Sequence, residues 1–415
     1  MKRAYLLPRL HWPALVFAAG ALACEAPAPG LVVGDIELAA PPASGEANLV
    51  ATSDGRVILT WLERSGSEKF ALRFAVRDGK EWSSPSTIVE SDRFFVNWAD
   101  FPSLVELPDG TWIVHWLEKV ATSTYAYHVK LAISRDQGAT WSEPIVPHRD
   151  DSPLEHGFVS MVPWGDGAAL VWLDGREMTS ANGRAGEGEE LDSGEMGVRA
   201  TTISAAGALG ADELLDRRAC ECCQTALAST ARGLVAAYRD RSEAEVRDIA
   251  VVRLVDGRWS EPTHVAVDNW VFPGCPVNGP QLSADGLRLV IAWFTAAEQI
   301  PAVYVAFSED AGESFGTPVR IDDGDALGRV DVELLADGSA LVTWLERTPK
   351  AAEVRARKVR MDGELGLGDA WRVAQTSEAR SSGFPRMVRS GDEIVFAWTL
   401  PGDDGGVRVA AAAAP

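Results

Sequence analysis

Three cysteines fall within four positions of the stretch 216–230, "DRRACECCQTALAST", in a chain that has five in all. Cys220, Cys222 and Cys223, with Cys275 further on, offer three kinds of chemistry. Oxidised, four thiols allow three pairings: one joins Cys222 to Cys223 and leaves Cys220–Cys275, the others tie Cys275 to Cys222 or Cys223. As thiolates they are soft ligands suited to copper or zinc, with His156 as a further donor, although Cys-x-Cys-Cys is not the spacing of a common zinc module. A redox-active or substrate-touching disulfide is the third reading. Structural disulfides are the expectation and a metal at the cysteines the alternative; no other cofactor is implied.

Other residue groups are suited to binding or acid–base work. Asp240, Arg239 and Arg241 in "YRDRSE", and Asp174, Arg176 and Glu177 in "LDGRE", can clamp a polar ligand or supply a carboxylate pair. Their bland reading is a set of loop ion pairs. Trp98 and Trp270 stand in similar Asn-Trp contexts, ready to stack on a sugar ring or to pack inside the fold. His156 and Asn278 lie in comparable connecting segments as polar binders. His156, standing alone, also reads as an ordinary hydrogen-bonded structural residue.

The start of the chain bears on the state of the cysteines. Lys2, Arg3 and Arg9 surround the entry to a short apolar run, 12–22, too short to span a membrane and fitting an export signal. Ala21-Leu22-Ala23 suits ordinary cleavage. The same residues followed by Cys24 resemble a bacterial lipobox, departing from it in having Ala21 where Leu is usual. The expectation is a signal over 1–23, lipid on Cys24, a flexible tether over 24–33 and one domain over 34–415. Export places the remaining four thiols where oxidation is the rule. The 39 basic residues against 60 acidic give a net charge of −21, which removes nucleic acid from the partners. A monomer touching membrane only through its lipid is expected.

One pattern organises the rest. "LVATSDGRVILTWLER" (49–64), "LVELPDGTWIVHWLEK" (104–119) and "VELLADGSALVTWLER" (332–347) each read as strand, Asp-Gly turn and a second strand ending in an aromatic. Looser copies place the same aromatic marker at seven positions, Trp61, Trp116, Trp172, Tyr238, Trp293, Trp344 and Trp398, spaced 51 to 66 residues apart. The second strands are apolar on both faces, so each must be covered on both sides. Third and fourth strands follow in most copies, and small antiparallel sheets stacked radially make a propeller. The last copy ends after its third strand, and the unmatched strand "GDIELAA" (34–40) can complete it. The fold expected is all-β, a seven-bladed propeller of four-stranded blades, with six blades as the alternative.

Between third and fourth strands stands "SRDQGATWSEP", with Ser134, Asp136, Gly138 and Trp141 in Ser-x-Asp-x-Gly-x-x-Trp order. It resembles the Asp box, or bacterial neuraminidase repeat, of the sialidase superfamily. "SEDAGESFGTP", with Ser308, Asp310, Gly312 and Phe315, is a second copy, and "VRDGKEWSSP" and "LVDGRWSEP" are eroded ones. The box is structural: its Asp ties amides of its own turn and its Gly permits a positive φ. The resemblance implies a sialidase-like fold over essentially the whole mature chain. It also implies three arginines on the substrate carboxylate, a Tyr–Glu nucleophile and an Asp acid/base. The Arg-Ile-Pro motif that carries the first arginine is absent. Of Tyr125, Tyr127, Tyr238 and Tyr304, only the first two sit in or beside a loop.

In a four-stranded blade alternate connections fall on opposite faces, and the resemblance makes the face away from the Asp boxes the functional one. All four of Cys220, Cys222, Cys223 and Cys275 belong there, in the connections of adjacent blades. The leading expectation is recognition of a glycan or other polar extracellular ligand on that face. A glycosidase or lyase using loop carboxylates is the enzyme alternative, and a protein-interaction scaffold of the envelope is the third.

Overall fold

Each Asp-Gly turn folds the chain back on itself with a glycine in left-handed backbone. Gly55, Gly110 and Gly338 sit at φ +85, +83 and +84, a region glycine enters without a side-chain clash. Their amides bond the carbonyls of Thr52, Leu107 and Leu335 at 3.0, 2.9 and 3.0 Å. The second strands this creates, such as Trp112–Lys119, Gly167–Asp174 and Ala340–Arg347, are buried along nearly their whole length.

The computed structural model describes residues 31–38, 40–180, 191–361 and 369–415, together with Met1. From Leu31 onward it forms seven antiparallel sheets in a propeller ring, which excludes the six-bladed alternative. The export signal and Cys24 lie outside the described residues. The strand Gly34–Ile36 pairs with Gly406–Ala413, Gly34 opposite Ala411, so the N-terminal strand completes the last blade. Closure leaves that blade without an open edge. Outer strands are short: in the second blade the fourth is reduced to one bridge between Leu131 and Ile145.

Within the second strands, alternate residues share a face, and five copies carry an acid two places after the aromatic. Trp61, Trp172 and Trp344 donate their indole N–H to Glu63, Asp174 and Glu346 at 3.0, 2.8 and 2.5 Å. In these three copies the Trp-Leu-Glu/Asp signature buries a large ring while satisfying its one polar atom, whereas the indole N–H of Trp116 stays unpartnered. The turns at Ser134 and Ser308 share a hydrogen-bond set. Ser134 Oγ donates to Asp136 (2.8 Å) and accepts the Gly138 amide (2.8 Å), and the Thr140 amide bonds Asp136 (2.8 Å). Ser308, Asp310, Gly312 and Ser314 repeat this at 2.8, 2.9 and 2.9 Å. Gly138 lies against Phe74, where a Cβ would approach to 2.5 Å. Trp141 packs edge-on to the same Phe74, and Phe315 joins a core cluster with Trp293.

Inner strands carry a recurring irregularity at one end. Register shifts between Gly45 and Asn48, Gly157 and Ser160, and Gly328 and Asp331 put Glu46, Phe158 and Arg329 at φ 53, 54 and 54. These bulges turn main-chain groups toward neighbouring blades.

Because Trp344 is fully buried and its ring both fills space and donates a hydrogen bond, Trp344→Ala should cost about 3–5 kcal/mol. A urea unfolding midpoint unmoved by this change would refute the packing role given to the marker aromatics.

Candidate functional site

The cysteines converge as expected, but not as disulfides. Cys220 Sγ lies 2.6 Å from Cys223 Sγ and 3.9 Å from Cys222 Sγ, and all four thiols are free. A disulfide requires about 2.05 Å. Cys220 and Cys223 are buried, Cys222 half-buried and Cys275 exposed. The cluster is held by the Cys220 amide on the Arg239 carbonyl, 2.9 Å. Glu221, between the thiols, pairs with Arg241 and with buried Arg247 (3.0 Å), and Glu245 pairs with both arginines (2.7 and 2.8 Å). Burial opposes ionisation of Cys220, yet the thiols of Cys222 and Cys223 and the charge of Arg247 hold it well below the usual range. Hydrogen bonding from Cys222 likewise lowers Cys275. Cys223 is pushed up, chiefly by burial. The four sulfurs thus gather beside a guanidinium, with Cys220 and Cys275 favoured toward ionisation and Cys223 held against it.

A cluster of acids stands beside it. Tyr127, buried and stacked on Phe95 at 3.8 Å, donates its hydroxyl to Glu155 at 2.6 Å and lies 3.5 Å from Asp100. Asp100 also accepts the Phe158 amide at 2.8 Å. Burial raises Glu155 to about 8, with the Asp100 charge adding to it, and raises Asp100 to about 7 against the pull of the Phe158 amide. Tyr127 and Glu155 thus hold their protons at neutral pH, while Asp100 titrates close to it. Sequence reasoning left Tyr127 unmarked; its partner Glu155 sits 28 residues away, across a blade junction.

His156 does not join the cysteines. Its imidazole stacks on His148 at 3.9 Å and meets His128 edge-on at 5.0 Å. All three rings are buried. Their ligand nitrogens lie within 4.8 Å of one another, and Cys220, Cys222 and Cys223 form a second such group.

Several predicted ligand residues are instead used to hold the blades together. Arg239, 1% exposed, spends its guanidinium on the carbonyls of Asn278, Arg247 and Phe294 at 2.8, 2.6 and 2.6 Å. Trp270 covers it at 4.8 Å. A side chain enclosed by three carbonyls and an indole cannot clamp a ligand. Asn278 accepts the Arg329 amide at 2.7 Å. Trp98 lies between Arg329 and Arg380, at 4.7 and 6.0 Å, and stacks on Phe384. These aromatic faces are already occupied. Asp174, 1% exposed, is bonded by Arg176 through two 2.7 Å contacts. Burial works against its ionisation, but Arg176, His156 and Trp172 together keep it below the usual carboxylate range. Asp240 pairs with His264 at 3.0 Å and is raised by burial.

Two cavities open nearby. The axial one, about 160 Å³, is lined by Asn48, Asp100, Ser103, Gln224, Gln281 and Arg386 among others. The other is a cleft of about 350 Å³ on the third blade, bordered by Arg176, Glu177, Glu195, Arg199 and Arg217. Asp212 fixes Arg176 (3.0 Å) and Arg199 (2.6 Å).

A scan against protein-family models and a search of curated proteins return no match. Among solved structures, a protein of unknown function from Dyadobacter fermentans aligns over 94% of this chain and 100% of its own, at 14% identity and TM-score 0.53. The NanB sialidase of Streptococcus pneumoniae aligns over 92% and 70%, at 13% identity and TM-score 0.45. An ulvan lyase aligns over 76% and 79%, at 12% and 0.45. At these identities the likeness carries the fold alone.

Two outcomes test the site. Glu155 and Asp100 hold protons in the folded chain up to about 8 and 7, while the unfolded chain releases them near pH 4. Stability should therefore fall as pH rises from about 5 to 8, the folded state binding more protons there. Glu155→Gln should flatten that fall in urea titrations, and an unchanged slope would contradict the assignment. Alkylation of Cys275 in the reduced chain, followed by mass spectrometry, should reach half-maximal rate below the ordinary thiol value of about 8.5. Cys222→Ala should return it toward that value.

Proposed function

We propose that this chain is an exported propeller that recognises a polar ligand of the carbohydrate class on its cysteine-bearing face, through the cleft of the third blade. The observation that carries this reading is the convergence of Arg176, Arg199 and Arg217 on one cleft of about 350 Å³, a volume typical of small-molecule sites. Asp174 and Asp212 hold two of these arginines in place. Arg217 is exposed and has no ion-pair partner among the described residues, so it is the group available to an incoming carboxylate or sulfate. Glu177 and Glu195 supply acceptors for sugar hydroxyls. Cys24 is read as a lipid attachment point, the protein as a monomer, and the turns at Ser134 and Ser308 as Asp boxes on the far face.

A second reading follows from the Tyr127–Glu155 contact of 2.6 Å beside Asp100. It is a glycosidase or lyase in which Glu155, neutral near pH 7, donates the proton. This replaces Asp174 and Asp240 as candidate acids, since each is already committed to a partner.

Screening the purified chain on a glycan array with acidic and neutral sugars tests the recognition reading. Arg217→Ala should weaken binding of acidic glycans about 10- to 100-fold, the worth of one charged hydrogen bond. Turnover of chromogenic glycosides lost in Glu155→Gln would favour the enzyme. A silent array with successful protein pull-downs would favour a scaffold and sink both.

A further inference from the structure

The three histidines are braced in a way that packing alone does not explain. His148 and His156 flank the connection from the second blade to the third, and His128 opens the facing strand Tyr127–Ser134. Each ring places one nitrogen on a main-chain carbonyl of that connection. His148 Nδ1 lies 2.8 Å from the Asp150 carbonyl, His128 Nε2 2.8 Å from that of Ser152, and His156 Nδ1 3.1 Å from that of Leu154. Alternate carbonyls of one short segment thus hold three imidazoles from two directions.

A carbonyl only accepts, so each of these nitrogens carries the proton. In a neutral ring the opposite nitrogen, His128 Nδ1, His148 Nε2 or His156 Nε2, is then a lone pair. The Nε2 atoms of His148 and His156 are wholly enclosed and have no hydrogen-bond partner. Asp150 Oδ2 lies 3.0 Å from His156 Nε2 and Asp174 Oδ2 3.8 Å away. Neither contact is directed as a hydrogen bond, so a buried, unpartnered ring nitrogen faces carboxylate with nothing between them.

We propose that His128, His148 and His156, with Asp150 as fourth donor, form a binding site for a first-row divalent metal ion, zinc being the reference case. Three imidazole nitrogens and one carboxylate oxygen suit zinc and its borderline neighbours, not the hard oxygen-seeking ions or a thiophilic one. Ring N–H groups on main-chain carbonyls are the usual brace of metal-binding histidine, fixing the tautomer and the ring plane. Asp150 is partly exposed, with a side chain 21% accessible, which gives the ion an entry. The site is separate from the thiol cluster and needs none of the residues of the carbohydrate reading except the shared neighbour Asp174.

The test uses the full mature chain, stripped by a chelator, loaded with zinc or cobalt(II) and desalted. One equivalent of zinc should be retained, and the cobalt form should show visible ligand-field bands without a near-ultraviolet sulfur charge-transfer band. His148→Gln and His156→Gln should each reduce zinc affinity by more than the roughly 10- to 100-fold that loss of a brace costs, while Cys222→Ser retains it. Zinc should raise the unfolding temperature of the unmodified chain and not that of folded His148→Gln. A sulfur charge-transfer band in the unmodified chain places the ion at the cysteines and overturns the proposal, even where a variant fails to fold. Retention of zinc by the histidine variants, or no retained zinc at all, overturns it equally.

Discussion

No strand of one blade pairs with a strand of the next, so the ring depends on what crosses between sheets. At one end of the channel that is a seam of buried side chains on main-chain groups. Asp100 takes the Phe158 amide, and Thr225 donates to the Phe158 carbonyl at 2.7 Å. Gln224 donates to the Ala99 carbonyl (2.6 Å) and accepts the Gly279 amide (3.0 Å). Asn278 takes the Arg329 amide, and Arg329 reaches Ser382 and the Gly383 carbonyl at 2.7 and 3.0 Å. Leaving one such buried group unpaired costs about 1–3 kcal/mol. The seam therefore does more than hydrophobic packing can, because it penalises any slip of one blade against the next. The bulges at Phe158 and Arg329 are what turn the amides toward it, and the positive φ at each is part of the same device.

This seam decides which polar residues remain for chemistry. Arg239, Asn278 and Trp98 sit in the right connections for ligand binding, yet the joints between blades use them. The groups left over are those whose charges or lone pairs no joint consumes: the thiols, the Tyr127–Glu155–Asp100 acids, the histidines, and Arg217 at its cleft. Apart from Asp100, in the connection from the first blade to the second, all belong to the second, third and fourth blades or to the connections that follow them, so one sector of the face carries the reactive residues.

The sequence made the fold legible because its information is periodic. Seven aromatic markers, Asp-Gly turns and doubly apolar strands each state one local rule, and the rules agree on one architecture. The unmatched strand at Gly34–Ile36 and its closing role were legible for the same reason. The site was legible only as an address. Cys275 and the Cys220–Cys223 group were placed together correctly, but their redox state rests on tertiary charge, with Arg247 beside the sulfurs. The histidine cluster was not legible at all. His128, His148 and His156 follow no ligand spacing, and His156 read as a lone residue because its companions come from the neighbouring blade. Only the pair flanking a single connection, His148 and His156, offered a local signal. Tyr238, by contrast, was readable as core from its place in the repeat, whereas Trp270, expected as a ligand-binding ring, covers Arg239 instead.

The three buried clusters answer one problem, keeping charge out of a low-dielectric interior, in three ways. The thiols set Arg247 beside Cys220, the sulfur whose ionisation its charge favours. Arg247 is also bonded to Glu221, Glu245 and the Phe272 carbonyl, so it stays paired whatever the sulfurs do. The acids avoid charge by keeping their protons, and a hydroxyl–carboxyl hydrogen bond satisfies what remains. The histidines rest one nitrogen each on a main-chain carbonyl, but the buried Nε2 atoms of His148 and His156 stay unpartnered beside carboxylates that supply no proton. The first two clusters are complete within the chain's own atoms. The third is balanced only when a cation lies between imidazole and carboxylate, which is why the histidines, rather than the more conspicuous cysteines, define the metal site.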